Sequence, residues 1–140
     1  MADVVEFRQS KTFGASMPRP LSSDERQLLL QIVEVVPHSA NLLNQIESAQ
    51  YDEAWFDGSQ SFSILVSAAV PPYSLGGVVK AGRQVGPGAT VHEDGSRPTN
   101  DNFVGEVFLW LIDGRIADLE YCWVTDDMPD RLPRLDQLVR

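Results

Sequence analysis

The spacing of apolar positions changes near residue 50, and the change predicts helices before that point and strands after it. Leu29, Ile32, Val33 and Val36 recur at i, i+3, i+4 and i+7, a single stripe of an amphipathic helix that Pro37 stops. Ser22 with Glu25 three residues later forms the capping-box pattern at its start, where a hydroxyl and a carboxylate satisfy backbone N–H groups reciprocally. Ser39 is placed to cap a second helix, with Leu42, Leu43 and Ile46 on its apolar side and Asn41, Asn44, Gln45 and Glu47 facing outward. His38, between Pro37 and Ser39, reads as a residue at that helix's start, and so short a connection makes the two helices a hairpin or corner.

From Tyr51 the period becomes two. Asp57-Gly58 is a turn between a short segment containing Trp55 and Phe56 and the run Phe62, Ile64, Val66, whose alternating serines read as its solvent side. Pro71 and Pro72 end that strand. Six of the 10 glycines then fall within residues 76–95, a stretch that reads as a long loop or a pair of weak edge strands. The polar residues 93–102 carry turn chemistry and introduce the strongest strand signal in the chain, residues 103–112, joined by Asp113-Gly114 to residues 115–124.

Register decides what this last hairpin presents. Paired without interruption, Asp118 and Glu120 would share a face with Leu109 and Val107, a poor pattern for a core. A bulge at Ala117 and Asp118 instead gathers Ile116, Leu119, Tyr121 and Trp123 against Leu111, Leu109 and Val107, and leaves Phe108, Trp110 and Ile112 on the opposite face. The tail carries Pro129 and Pro133 with Leu132, Leu135 and Leu138 three apart, an extended segment ending in a short helical turn.

The expected fold is α+β: a loosely held arm over residues 1–20, then one domain over residues 21–140, with two N-terminal helices packed on a mainly antiparallel sheet of four to six strands. A chain of 140 residues with 43% apolar and 22% charged side chains suits one globular domain. Eleven Lys and Arg against 20 Asp and Glu give a net charge of −9, which repels nucleic-acid phosphate and anionic membrane. The single cysteine, Cys122, excludes an internal disulfide and a Cys-rich zinc site, and a reducing cytoplasm fits it. The sequence shows neither a signal-peptide pattern nor an apolar run of membrane-spanning length.

Catalytic signatures fail one by one, so catalytic, metal and cofactor sites are expected to be absent. Gly77 and Gly82 have the spacing of a phosphate-binding loop, but Arg83 and Gln84 stand where Lys and Ser or Thr are needed. His92 and Asp94 alone could converge from one extended segment on a metal, and further ligands would have to come from elsewhere. Cys122 lies on a strand with nothing cationic near it in sequence and reads as a structural thiol. The carboxylates Asp126 with Asp127, and Glu106 with Glu120, read as solvated acids, because a glycosidase pair needs a sugar cleft that one small sheet does not build.

The helical stretch LSSDERQLLLQIV, the second helix ANLLNQI, the hairpin VFLWLIDGRIADLEYCWV and the tail MPDRLP together resemble a group of small bacterial α+β proteins to which no function is assigned. That resemblance covers residues 21–135 in outline and brings no catalytic residue with it. By size and charge alone, an analogy extends to small acidic immunity proteins that mask a basic toxin.

Two helices cover one face of a sheet, so aromatic residues on the other face form an association surface. The first functional expectation is therefore a non-enzymatic interaction protein, a homodimer or the acidic partner of another protein, with Glu106, Phe108, Trp110 and Glu120 at its contact. The alternative is a small-ligand-binding or hydrolytic domain, its pocket gated by residues 76–88 and lined by Tyr73, Lys80, Arg83 and His92.

Overall fold

A computed structural model describes residues 17–73, 83–93 and 102–139, with the backbone alone for 83–87. The capping box forms at the start of helix α1 (Ser23–Val33): the Glu25 N–H donates to Ser22 Oγ at 3.1 Å, and the Ser22 N–H donates to Glu25 Oε1 at 2.8 Å. Leu28, Leu29, Ile32 and Val33 are buried along one side, each contributing roughly 1.5–3 kcal/mol of apolar burial. Pro37 forbids continuation, and the chain turns through His38 at φ 54° into helix α2 (Ala40–Ser48). The Ser39 side chain makes no capping bond there, contrary to the sequence expectation, because its backbone is not extended (φ −82°, ψ 5°).

Among the described residues seven strands follow the order β1-β2-β3-β6-β5-β4-β7, and every neighbouring pair is antiparallel. They are β1 (Arg19–Pro20), β2 (Gln50–Ala54), β3 (Phe62–Leu65), β4 (Arg83–His92), β5 (Phe103–Ile112), β6 (Arg115–Trp123) and β7 (Leu138–Val139). The α+β class and the helices on one sheet face are as expected, but the count exceeds four to six. The additions are β1 and β7, two residues each, too short to show any period. Arg19 and Pro20, the end of the expected arm, thus pair with β2, while residues 1–16 lie outside the described residues.

The glycine-rich stretch also departs from expectation. Ten of its residues form β4, paired along β5 with a register shift between Val85 and Gly88 that accommodates Gly86-Pro87. The final hairpin follows the bulged register: Trp110 pairs with Asp118 and Leu111 with Ile116, so Ala117 is the extra residue. Val107, Leu109, Leu111, Ile116, Leu119 and Tyr121 consequently face the helices and are buried.

Two glycines are required by space. Gly114, at φ 79° in the β5–β6 turn, is packed so closely on the Tyr73 carbonyl that a Cβ would overlap it. Gly105 in β5 would likewise drive a Cβ into the backbone of Cys122 and Trp123.

Gln45, expected to face outward, is fully buried at the helix–sheet junction. Its Nε2 donates to the carbonyls of Gly114 at 3.0 Å and Pro71 at 3.3 Å, and its Oε1 accepts from the Ile116 N–H at 2.8 Å. It closes the hydrogen-bonding gap that the turn and the nearby bulge leave in the ladder. Ser61, expected on the solvent side, is buried too, where its Oγ accepts from the Tyr121 N–H at 2.9 Å. Among the described residues no helix is long and apolar enough to cross a membrane.

Candidate interaction face

Alternation along β5 and β6 sends the residues between the core positions to the sheet face opposite α1 and α2. Glu106, Phe108 and Trp110 of β5 and Glu120 and Cys122 of β6 stand there, all half-buried. Phe108 pairs directly with Glu120, Glu106 with Cys122 and Trp110 with Asp118. The four residues expected at a contact surface are thereby brought together. Ile112 and Leu65 extend the face with exposed apolar side chains, each 39% accessible.

Hydrogen bonds fix the acids to the aromatic rings. Trp110 Nε1 donates to Glu120 Oε1 at 2.7 Å, and Cys122 Sγ donates to Glu120 Oε2 at 3.2 Å. Trp55 Nε1 donates to Asp118 Oδ1 at 3.1 Å, which ties the β2–β3 connection to the same face. Sequence reading placed Asp118 within the bulge but did not find this bond, since it joins residues 63 apart. Burial pushes the Cys122 thiol up to about 11, and its hydrogen bond to Glu120 and the charges of Glu120 and Glu106 add to the rise. The thiol is therefore protonated near neutrality, which fits a structural role.

Arg115 begins β6 at the turn, and its guanidinium is held by the carbonyls of Val70 at 2.6 Å, Ala68 at 3.3 Å and Ser67 at 3.4 Å. Glu106 and Glu120 form no ion pair with any described cation. Their charges stand beside a phenyl ring and an indole, on a chain of net charge −9.

Two residues of the alternative pocket, Tyr73 and His92, lie at opposite ends of β5. Tyr73 is buried beside the β5–β6 turn, where its hydroxyl donates to the Pro37 carbonyl at 3.0 Å. His92 pairs with Phe103 at the other end of β5, roughly 30 Å away along a ten-residue strand. Lys80 and the side chain of Arg83 lie outside the described residues, as does Asp94.

His92 is fully buried, with its ring 5.6 Å from that of Phe103. The Thr90 hydroxyl donates to the Val139 carbonyl at 2.8 Å, so His92 Nε2, 3.1 Å from Thr90 Oγ1, is the donor of that pair. Among the described residues Nδ1 has no partner, and no group of three or more His, Cys, Asp or Glu side chains could hold a metal.

A separate groove of about 610 Å³ runs between the start of α1, Gln60 and the tail near Leu132. Its flanking cations face neighbouring acids, Arg131 with Asp130 at 3.8 Å and Arg134 with Asp136 at 3.1 Å, so the charges cancel locally. No residue expected at a site lines it. Comparisons with protein-family models, with curated proteins and with solved structures give no match.

Proposed function

We propose that the chain is a non-enzymatic interaction domain, the acidic partner of a basic protein, which it meets through the face of its sheet opposite α1 and α2. The observation that carries this reading is the gathering of Glu106, Phe108, Trp110 and Glu120 on one half-buried patch. Aromatic side chains supply apolar area at small entropic cost, and carboxylates around them select a partner of opposite charge. A homodimer through this face is disfavoured, since a two-fold contact sets a patch against its own copy and brings Glu106 and Glu120 against like charges. A reducing cytoplasm suits the unpaired thiol of Cys122.

Benzoylphenylalanine placed at position 108, with a control at the exposed Val35, tests the reading by photo-crosslinking in cells that express the protein. A single basic protein joined at 108, absent at 35 and lost in the Glu106→Lys, Glu120→Lys double variant, supports it. Adducts that contain two copies of this chain, or the same adducts at both positions, overturn it.

A further inference from the structure

Among the described residues, one arginine is held by a carboxylate and an aromatic ring together. On the helix-covered side, Arg19 donates to Glu25 Oε1 and Oε2 at 3.0 and 2.9 Å, and its guanidinium carbon lies 4.0 Å from the centroid of the Tyr51 ring. The carboxylate takes the N–H edge of the plane while the ring takes its face, a combination that suits guanidinium and not ammonium.

Glu106, Phe108 and Glu120 repeat those parts on the outer face. Glu120 stands directly across from the Phe108 ring, and Glu106 stands two residues from Phe108 on the same side of β5. Phe108 also pairs with Gly88 of β4, an exposed position without a side chain, so nothing from that residue screens the ring. A Cβ added there would come within 3.2 Å of Phe108 Cδ1, so the ring rests against bare backbone. Glu120 accepts from the neutral donors Trp110 and Cys122, which orient it and leave its charge in place.

We infer that Glu106, Phe108 and Glu120 form a recognition site for an arginine side chain of the partner, the guanidinium stacked on Phe108 and bonded to the two carboxylates. This inference rests on the acidic-partner reading and narrows it from basic to arginine-bearing. Lysine satisfies the charge but not the plane.

The test is a titration of the full-length chain, followed by backbone amide NMR, with the peptide Gly-(Arg-Gly)4 and its lysine counterpart at about 50 mM salt. The arginine peptide is expected to shift the amides of Glu106, Phe108, Glu120 and Cys122 and to bind at least about fivefold more tightly than the lysine peptide. Phe108→Leu should erase that preference, and Glu106→Gln with Glu120→Gln should weaken binding at least about tenfold while the remaining amide spectrum stays folded. Equal affinity for the two peptides at this face overturns the arginine inference and leaves the acidic-partner reading standing. Shifts that map elsewhere also overturn the inference. No binding of either peptide overturns both.

Discussion

The Ile116 backbone N–H donates to the side-chain oxygen of Gln45 at 2.8 Å, a bond made inside the protein between the second helix and the sixth strand. Gln45→Leu keeps the volume and removes both halves of the bridge. The Gly114 carbonyl still accepts from Tyr73, but the buried Ile116 N–H loses its acceptor. A loss of about 2–3 kcal/mol in urea unfolding is expected. A change below about 0.5 kcal/mol would show that water replaces the amide.

Gly114→Ala should cost about 1–3 kcal/mol, because a left-handed residue gains a Cβ where the Tyr73 carbonyl already sits. Asp113→Gly, at the other left-handed position of the turn (φ 52°), should stay within about 1 kcal/mol of the parent. Equilibrium unfolding of both variants separates local strain from a general intolerance of the turn.

Acid should weaken the attachment of β1. Burial alone would raise the Glu25 carboxyl, but the hydrogen bonds from Arg19 and the Ser22 backbone, with the charge of Arg19, outweigh it and hold the group below its ordinary 4.5. A carboxylate with a depressed folded-state value contributes stability that is fully present above its unfolded value. That contribution is lost as pH falls through the folded one. Stability should therefore decline below about pH 4.5, and Glu25→Gln should flatten that part of the curve. An unchanged slope in Glu25→Gln would assign the decline to other carboxylates.

Cys122 should react slowly. A thiol at about 11, against an ordinary 9.0, presents about a hundredfold less thiolate at pH 8. Iodoacetamide alkylation of the folded chain should be slower than that of the unfolded chain by at least about tenfold, because the more basic thiolate is also the stronger nucleophile and offsets part of the loss. Glu120→Gln removes the facing charge and should accelerate it. Equal rates in the folded and unfolded chain would mean that the thiol is neither buried nor held by Glu120.

Much of this architecture is legible in local chemistry. The capping box needs two residues three apart, and the bulge at Ala117 follows from requiring one apolar face in residues 103–124. The outer patch of Glu106, Phe108, Trp110 and Glu120 follows from the same register, without knowledge of what lies above it.

What stays hidden depends on partners distant in sequence. Gln45 and Ser61 read as outward polar residues because their acceptors and donors, Gly114, Ile116 and Tyr121, come from the far hairpin. Strand β4 is obscured by Gly86, Pro87 and Gly88, residues of low strand propensity that sit at a register shift. Strands β1 and β7 are too short to carry a period, and their order comes from the edges they cover.

The single unpaired residue at Ala117 sets the surface chemistry of the whole hairpin. Paired in an unbroken ladder that kept Ala117 in step, the same amino acids would turn Asp118 inward and Leu119 outward, and the interior and exterior inventories of the strand would trade places. The identity of the patch is thus held by a pairing register as much as by a composition. A lineage that loses the Ala117 codon keeps its contact face, because a regular ladder then still sets Asp118 across from Trp110 and Leu119 across from Leu109. A one-residue insertion in the same strand has no such outlet, since it must form a second bulge or carry every residue beyond it to the opposite face.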